Sequence, residues 1–158
     1  MRKSSDTAAV VIGQEDPAQA DIVALLRNGE ANSARLYPAE SNHHLPPDAL
    51  RAPEVRFLVA RDAGGRAIAT GALVLHGDWA EIKRMWVDED ARGRGVSKKM
   101  LDSLVSIALT EDVPVLRLET GVASAAALGL YEGAGFQRRK PFGGYKADPL
   151  IIFMEKSL

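Results

Sequence analysis

The chain has 158 residues, of which 46% are hydrophobic, a net charge of −1 and no cysteine. That is enough apolar material for one domain, spanning 1–158, with a substantial core. The charge balance argues against a nucleic-acid binder held by bulk electrostatics, and no cysteine means no disulfide, thiol nucleophile or Cys-based metal site. No run of about 18 apolar residues suggests a membrane span. The start, Met-Arg-Lys-Ser-Ser-Asp-Thr, has no apolar segment of signal-peptide type, so residues 1–7 are expected to be disordered and the protein cytoplasmic.

Ala8–Ile12 reads as a short first strand. Asp16-Pro17 offers an N-cap with proline at the first helical position, and Gln19 falls at the capping-box position. Ile22, Val23, Leu25 and Leu26 would form that helix's buried face, with Gly29 as its stop. Residues 36–47 are rich in proline and polar residues and read as a loop, followed by a short helix around Asp48–Ala52. Arg56–Ala60, a Gly64-Gly65 turn and Ala67–Leu75 form a hairpin. Gly77-Asp78 then turns the chain into the strand that carries Glu81.

That strand ends in an Asp88-Glu89-Asp90 turn, then Arg92-Gly-Arg-Gly-Val-Ser97, where helical spacing begins at Val96, Met100, Leu101, Leu104 and Ala108. Gly93 and Gly95 let the backbone approach a ligand, and the helix start offers unpaired N–H groups. Arg92, Arg94, Lys98 and Lys99 crowd a terminus that ordinarily favours acids. On charge alone this could equally be a solvated basic surface. The glycines and the strand–loop–helix context favour a bound phosphate or pyrophosphate. A Rossmann fingerprint would need a third small residue where Lys98 stands, and a P-loop would need a Gly-Lys-Ser/Thr ending, which is absent.

After the Val96–Thr110 helix, Pro114–Glu119 is a strand reached by a crossover and so expected parallel to the Glu81 strand. Ala123–Glu132 is a helix closed by Gly133 and Gly135. Phe136–Arg139 and Leu150–Glu155 are strands separated by the loop 141–149. A mixed sheet with helices on its faces follows from this order.

Residues 92–97 resemble the pyrophosphate loop of the GNAT superfamily of N-acetyltransferases, Gln/Arg-x-x-Gly-x-Gly/Ala. Arg92 and Gly95 match, and Ser97 stands where Gly or Ala is usual. Ala127-Leu-Gly-Leu-Tyr131 followed by Gly135-Phe136 resembles a second family motif, Ala-x-x-Leu-Tyr…Gly-Phe, and the order of elements is similar to the GNAT fold over nearly the whole chain. The resemblance implies an α/β fold: a central mixed sheet of about seven strands flanked by helices on both faces. It implies an N-acetyltransferase that uses acetyl-CoA as cosubstrate and passes the acetyl group to a primary amine of a small molecule or peptide by direct attack in a ternary complex. A catalytically silent acyl-CoA sensor on the same fold is the alternative, and a nucleotide- or DNA-binding regulatory module a weaker one. Homodimers are common in the family, but oligomeric state stays open.

Acetyl transfer needs a proton acceptor for the amine, donors for the developing oxyanion and a proton for the leaving thiolate. The resemblance assigns these to Glu81 as base, a backbone N–H near Met85 and Tyr131 as acid. Glu81 could instead be a strand glutamate paired with Lys83 or Arg84, and Tyr131 a core residue. Strict alternation fails between Lys83 and Trp86, compatible with the family's strand bulge. By the same resemblance Met85, Trp86 and Val87 would hold the pantetheine arm, and Arg92, Gly93, Arg94, Gly95, Val96 and Ser97 the pyrophosphate. Ser124 stands where the family often has a cofactor-contacting asparagine; it could also be a helix N-cap. The acceptor site is expected between the loops 36–47 and 141–149, with Tyr37, Glu40, Asn42 and Tyr145 as candidates. His43 and His44 suggest a metal, but adjacent residues rarely converge on one ion and no third ligand is evident, so no metal is expected. Loop histidines are more often solvated surface, although either could serve as a second base near neutral pH.

Overall fold

The computed structural model describes residues 9–158. The disorder expected for residues 1–7, and Ala8 of the expected first strand, lie outside the described residues.

Among the described residues seven strands form one sheet: β1 (Val11–Gln14), β2 (Val55–Arg61), β3 (Ala67–Leu75), β4 (Ala80–Val87), β5 (Val115–Gly121), β6 (Gln137–Arg139) and β7 (Ile151–Ser157). Their spatial order is β1-β2-β3-β4-β5-β7-β6. Every pairing is antiparallel except β4 with β5, which the crossover makes parallel. The α-helices of the described residues, α1 (Ala20–Leu36), α2 (Val96–Thr110) and α3 (Ala125–Gly133), cover the two faces. This is the mixed seven-stranded sheet with helices on both faces that the resemblance implied.

Alternation divides the core. Leu58, Leu73, Ile82, Leu116 and Leu118 meet Met100, Leu101 and Leu104 of α2 and Tyr131 of α3 on one face. On the other, Phe57, Val59 and Ala72 meet Ile22 and Leu26 of α1, together with Leu50. Gly71 lets α2 come down on β3: a Cβ there would stand 2.9 Å from Met100 Cγ.

The first helix differs from its expected bounds. It starts at Ala20 with Gln19 at the cap and no side-chain cap bond. Asp16 instead accepts a 2.9 Å hydrogen bond from the Ala18 N–H in a local turn, and the Gln19 amide donates to Glu15 and to the Asp16 carbonyl. Nor does Gly29 stop it. A Cβ at Gly29 would stand 3.1 Å from Trp86 Cγ, so the residue that looked like a terminator is a point of close helix–sheet approach. The first strand also lies later than expected, at Val11–Gln14.

The feature that shapes the site is an opening between the two parallel strands. Pairing of β4 with β5 ends at Ile82↔Leu118, whereas β5 continues against β7 as far as Gly121. Across β3 and β4, Thr70 faces Trp86 and Ala72 faces Lys83, so Arg84 and Met85 together oppose Gly71. This is a β-bulge, and Arg84 takes φ 58° within it. Three groups hold that strained backbone. Thr70 Oγ1 donates to the Arg84 carbonyl at 2.7 Å, and the Arg84 guanidinium, 4% exposed, donates to Glu30 of α1 and to the Leu45 carbonyl.

Candidate active site

A cavity of about 740 Å3 fills the opening between β4 and β5. One end is the loop into α2. Gly93 and Gly95 have φ of 79° and 74°, the left-handed region that glycine enters without Cβ strain. Gly95 is the N-cap residue, no side chain caps the helix, and its first turn carries no acid. Its first N–H groups therefore point an uncompensated partial positive charge toward the cavity, whose wall includes Arg92, Gly93, Gly95, Val96 and Ser97. Arg92 lies 5.0 Å from the Trp86 ring and donates to the Val87 carbonyl. Arg94 departs from the expected set: its guanidinium turns back to the Asp90 carbonyl at 2.9 Å, and it is not on the cavity wall.

Met85, Trp86 and Val87 form the β4 side of the cavity, beyond the point where β5 leaves. Their main-chain groups on that side meet no strand. The Trp86 indole N–H is buried without a hydrogen-bond partner. Tyr131 closes the wall from α3, 5% exposed and edge-on to Phe136 at 5.7 Å. Burial pushes its phenol pKa up, so it remains a protonated donor. Ser124 occupies the cap position of α3 but makes no cap bond; its hydroxyl lies 3.4 Å from that of Tyr37, which accepts the Ala123 N–H at 3.0 Å. Tyr37 thereby spans from the end of α1 to the β5–α3 turn. Asn42 also lines the cavity, with its amide spent on the carbonyls of Ser33, Tyr37 and Pro38.

The other end gathers charge. Glu81 and Arg117 are register partners on β4 and β5, so Lys83 and Glu119, two residues on, share their face. Glu81 is 5% exposed, and its Oε2 accepts from the Tyr145 hydroxyl at 2.7 Å and from Lys83 Nζ at 3.3 Å. Lys83 Nζ also lies 2.7 Å from the Tyr145 oxygen. Partial burial and the hydrogen bond to Glu81 push the Tyr145 phenol well above its ordinary pKa. Glu81 is not on the cavity wall; Lys83, Glu119 and His43 are. His43 Nδ1 lies 2.7 Å from Glu119 Oε2. A shallower cleft of about 750 Å3 adjoins, lined by Glu40, His43, Tyr145 and Lys146 among others. His43 borders both spaces. Beside it, burial and the nearby Arg84 lower the pKa of His44. Among the described residues no cluster of three His, Asp or Glu side chains could hold a metal.

Sequence reasoning overlooked Glu119, Lys83 and Arg84 as site residues. Glu119 was detectable as the second residue after Arg117 on one face of a strand, but only with the β4–β5 register in hand.

Comparison with known proteins identifies the family. The model of the acetyltransferase (GNAT) family matches residues 24–136. An IAA acetyltransferase of Azospirillum brasilense is 41% identical over 151 residues, 94% of this chain and 98% of that protein. The crystal structure of a Klebsiella pneumoniae protein, provisionally assigned as an acyl-CoA N-acyltransferase, superposes with a TM-score of 0.81 at 36% identity, covering 96% of this chain and 99% of that one. The PaiA N-acetyltransferase of Thermoplasma acidophilum, solved with coenzyme A, shares the fold at a TM-score of 0.74 and 16% identity, over 94% of this chain and 99% of its own. The chain is therefore an N-acetyltransferase and belongs to the GNAT family.

Proposed function

We propose that the protein moves the acetyl group of acetyl-CoA directly to a primary amine while both are bound. The observation that carries this reading is the single cavity joining an uncapped, glycine-led helix start to a buried cluster of titratable groups through the parted strands. The helix start and Arg92 suit a pyrophosphate, whose charge the free N–H groups stabilise. The side of the Met85–Val87 main chain that faces away from β3 meets no strand and suits an extended pantetheine arm that adds as a strand would. Backbone N–H groups at the bulge suit the oxyanion of the tetrahedral intermediate. Tyr131, protonated and buried on the wall, suits the leaving thiolate.

At the far end, the Glu81 carboxylate holds Lys83 and Tyr145 from behind the cavity wall. With no cysteine to carry an acyl group, transfer goes from thioester to amine without a thioester relay on the protein. Positioning of the two substrates supplies much of the acceleration.

The test is release of free thiol from acetyl-CoA over a panel of amino acids, polyamines, aminoglycosides and peptides. The panel includes IAA, for which the Azospirillum relative is named. Amine-dependent release is expected. Saturable acetyl-CoA binding with no release across the panel would leave a sensor. Arg92→Glu should raise the acetyl-CoA dissociation constant at least about tenfold, since it places a carboxylate against a bound diphosphate; an unchanged constant removes the α2 loop from the cofactor site.

A further inference from the structure

We infer that His43, held by Glu119, is the group that takes the proton from the acceptor amine, with His43 the catalytic residue and Glu119 its positioning residue. This rests on the acetyl-transfer reading above.

The pairing orders the imidazole. With Nδ1–H donating to Glu119 across 2.7 Å, Nε2 is left as the ring's acceptor. A carboxylate behind an imidazole both selects that tautomer and stabilises the imidazolium that proton transfer creates. The placement is also right. His43 lies at the junction of the transfer cavity and the shallower cleft, with its side chain 32% exposed, where an amine entering from the cleft must pass to reach the thioester. Glu81, by contrast, is off the cavity wall, and its Oε2 is already occupied by Tyr145 and Lys83.

The charged and titratable groups around His43 are Glu119 from β5, Tyr145 and Asp148 from the loop before β7, and His44 alongside; Lys83 and Glu81 of β4 stand beyond Glu119. Burial raises the Glu119 pKa and the bond to His43 pulls it down, so a positive charge on His43 relieves a costly buried carboxylate. In the reaction the ammonium proton passes to Nε2, and the freed lone pair forms the N–C bond. As the C–S bond breaks, the sulfur takes a proton from Tyr131. The nitrogen's second proton restores the phenol, and His43 releases its own proton to solvent.

The probes are acetyl-CoA and whichever panel amine the wild-type protein acetylates fastest, assayed across pH. His43→Gln keeps a group able to hydrogen-bond Glu119 but cannot act as a base. It should lower kcat about a hundredfold near neutrality with acetyl-CoA binding retained. The defect should shrink as pH approaches the amine's own pKa of about 10, where free base is abundant. Glu119→Gln should give a smaller loss and shift the rising limb of the profile, while Glu81→Gln should keep that limb. His43→Gln with the wild-type profile, or with a loss independent of pH, overturns the inference and leaves the acetyl-transfer reading standing. A wild-type protein that turns over no amine overturns both.

Discussion

The hydroxyl of Tyr145, in the loop before β7, donates a 2.7 Å hydrogen bond to the carboxylate of Glu81 on β4, 64 residues earlier in the chain. Lys83 approaches both. Tyr145→Phe removes the shared hydroxyl and leaves a buried ion pair one partner short. The expected cost is roughly 1–3 kcal/mol of stability, read as a lowered midpoint of urea unfolding. Because the same loop borders the shallower cleft by which the amine is proposed to enter, KM for the amine should rise more than KM for acetyl-CoA. A Tyr145→Phe protein with unchanged stability and unchanged KM values would show that the contact holds neither the site nor the loop.

Tyr131 separates a packing role from a chemical one. Phenylalanine would keep the edge-on contact with Phe136 and lose only the proton. Tyr131→Phe should therefore keep the melting temperature within about 2 °C, since little buried surface changes, while kcat falls tenfold or more. Full activity would make this residue purely core.

Gly121 is where Tyr37 crosses β5. A Cβ there would fall 2.0 Å from the Tyr37 hydroxyl oxygen, too close for both to stay. Gly121→Ala should expel the ring, break its bond to the Ala123 N–H and open the wall near Ser124. Overpacking of this kind costs about 1–3 kcal/mol. The diagnostic is a second substitution: Tyr37→Ala in the Gly121→Ala background should cost less than Tyr37→Ala alone. Additive losses would place the two effects elsewhere.

Acid stability should depend on Glu155 of β7. Arg117 and Arg139 hydrogen-bond its carboxylate and hold its pKa below the ordinary glutamate range. A folded-state pKa lower than the unfolded one means that unfolding takes up a proton as pH falls. This stabilisation is present above the ordinary glutamate range and is lost as pH drops through and below it. Melting temperature followed from pH 7 to pH 3 should fall less steeply in Glu155→Gln than in the wild type. Equal slopes would show that the two arginines do not couple Glu155 to folding.

Local pattern announced the elements around the glycine-led start of α2. Val96–Thr110 was readable to the residue, because apolar spacing and the two glycines before it act over one or two turns of chain. The crossover likewise implied the parallel β4–β5 pair. Gly29 misled because a glycine that ends a helix and one that admits a neighbouring ring look alike in sequence; only Trp86, 57 residues later, distinguishes them. Broken alternation hinted at the bulge, but not at the ties from Glu30, Leu45 and Thr70 that hold Arg84 at positive φ.

By itself, then, the sequence determined the order and type of the elements, the family and the glycine-led helix start, since all of these depend on neighbours in the chain. Which charges meet was decided by tertiary structure alone. His43 with Glu119, Glu81 with Tyr145 and Arg84 with Glu30 are pairs between 54 and 76 residues apart. Strand register and the docking of α1 bring them together, and burial makes each unpaired member costly enough that its partner becomes part of the site.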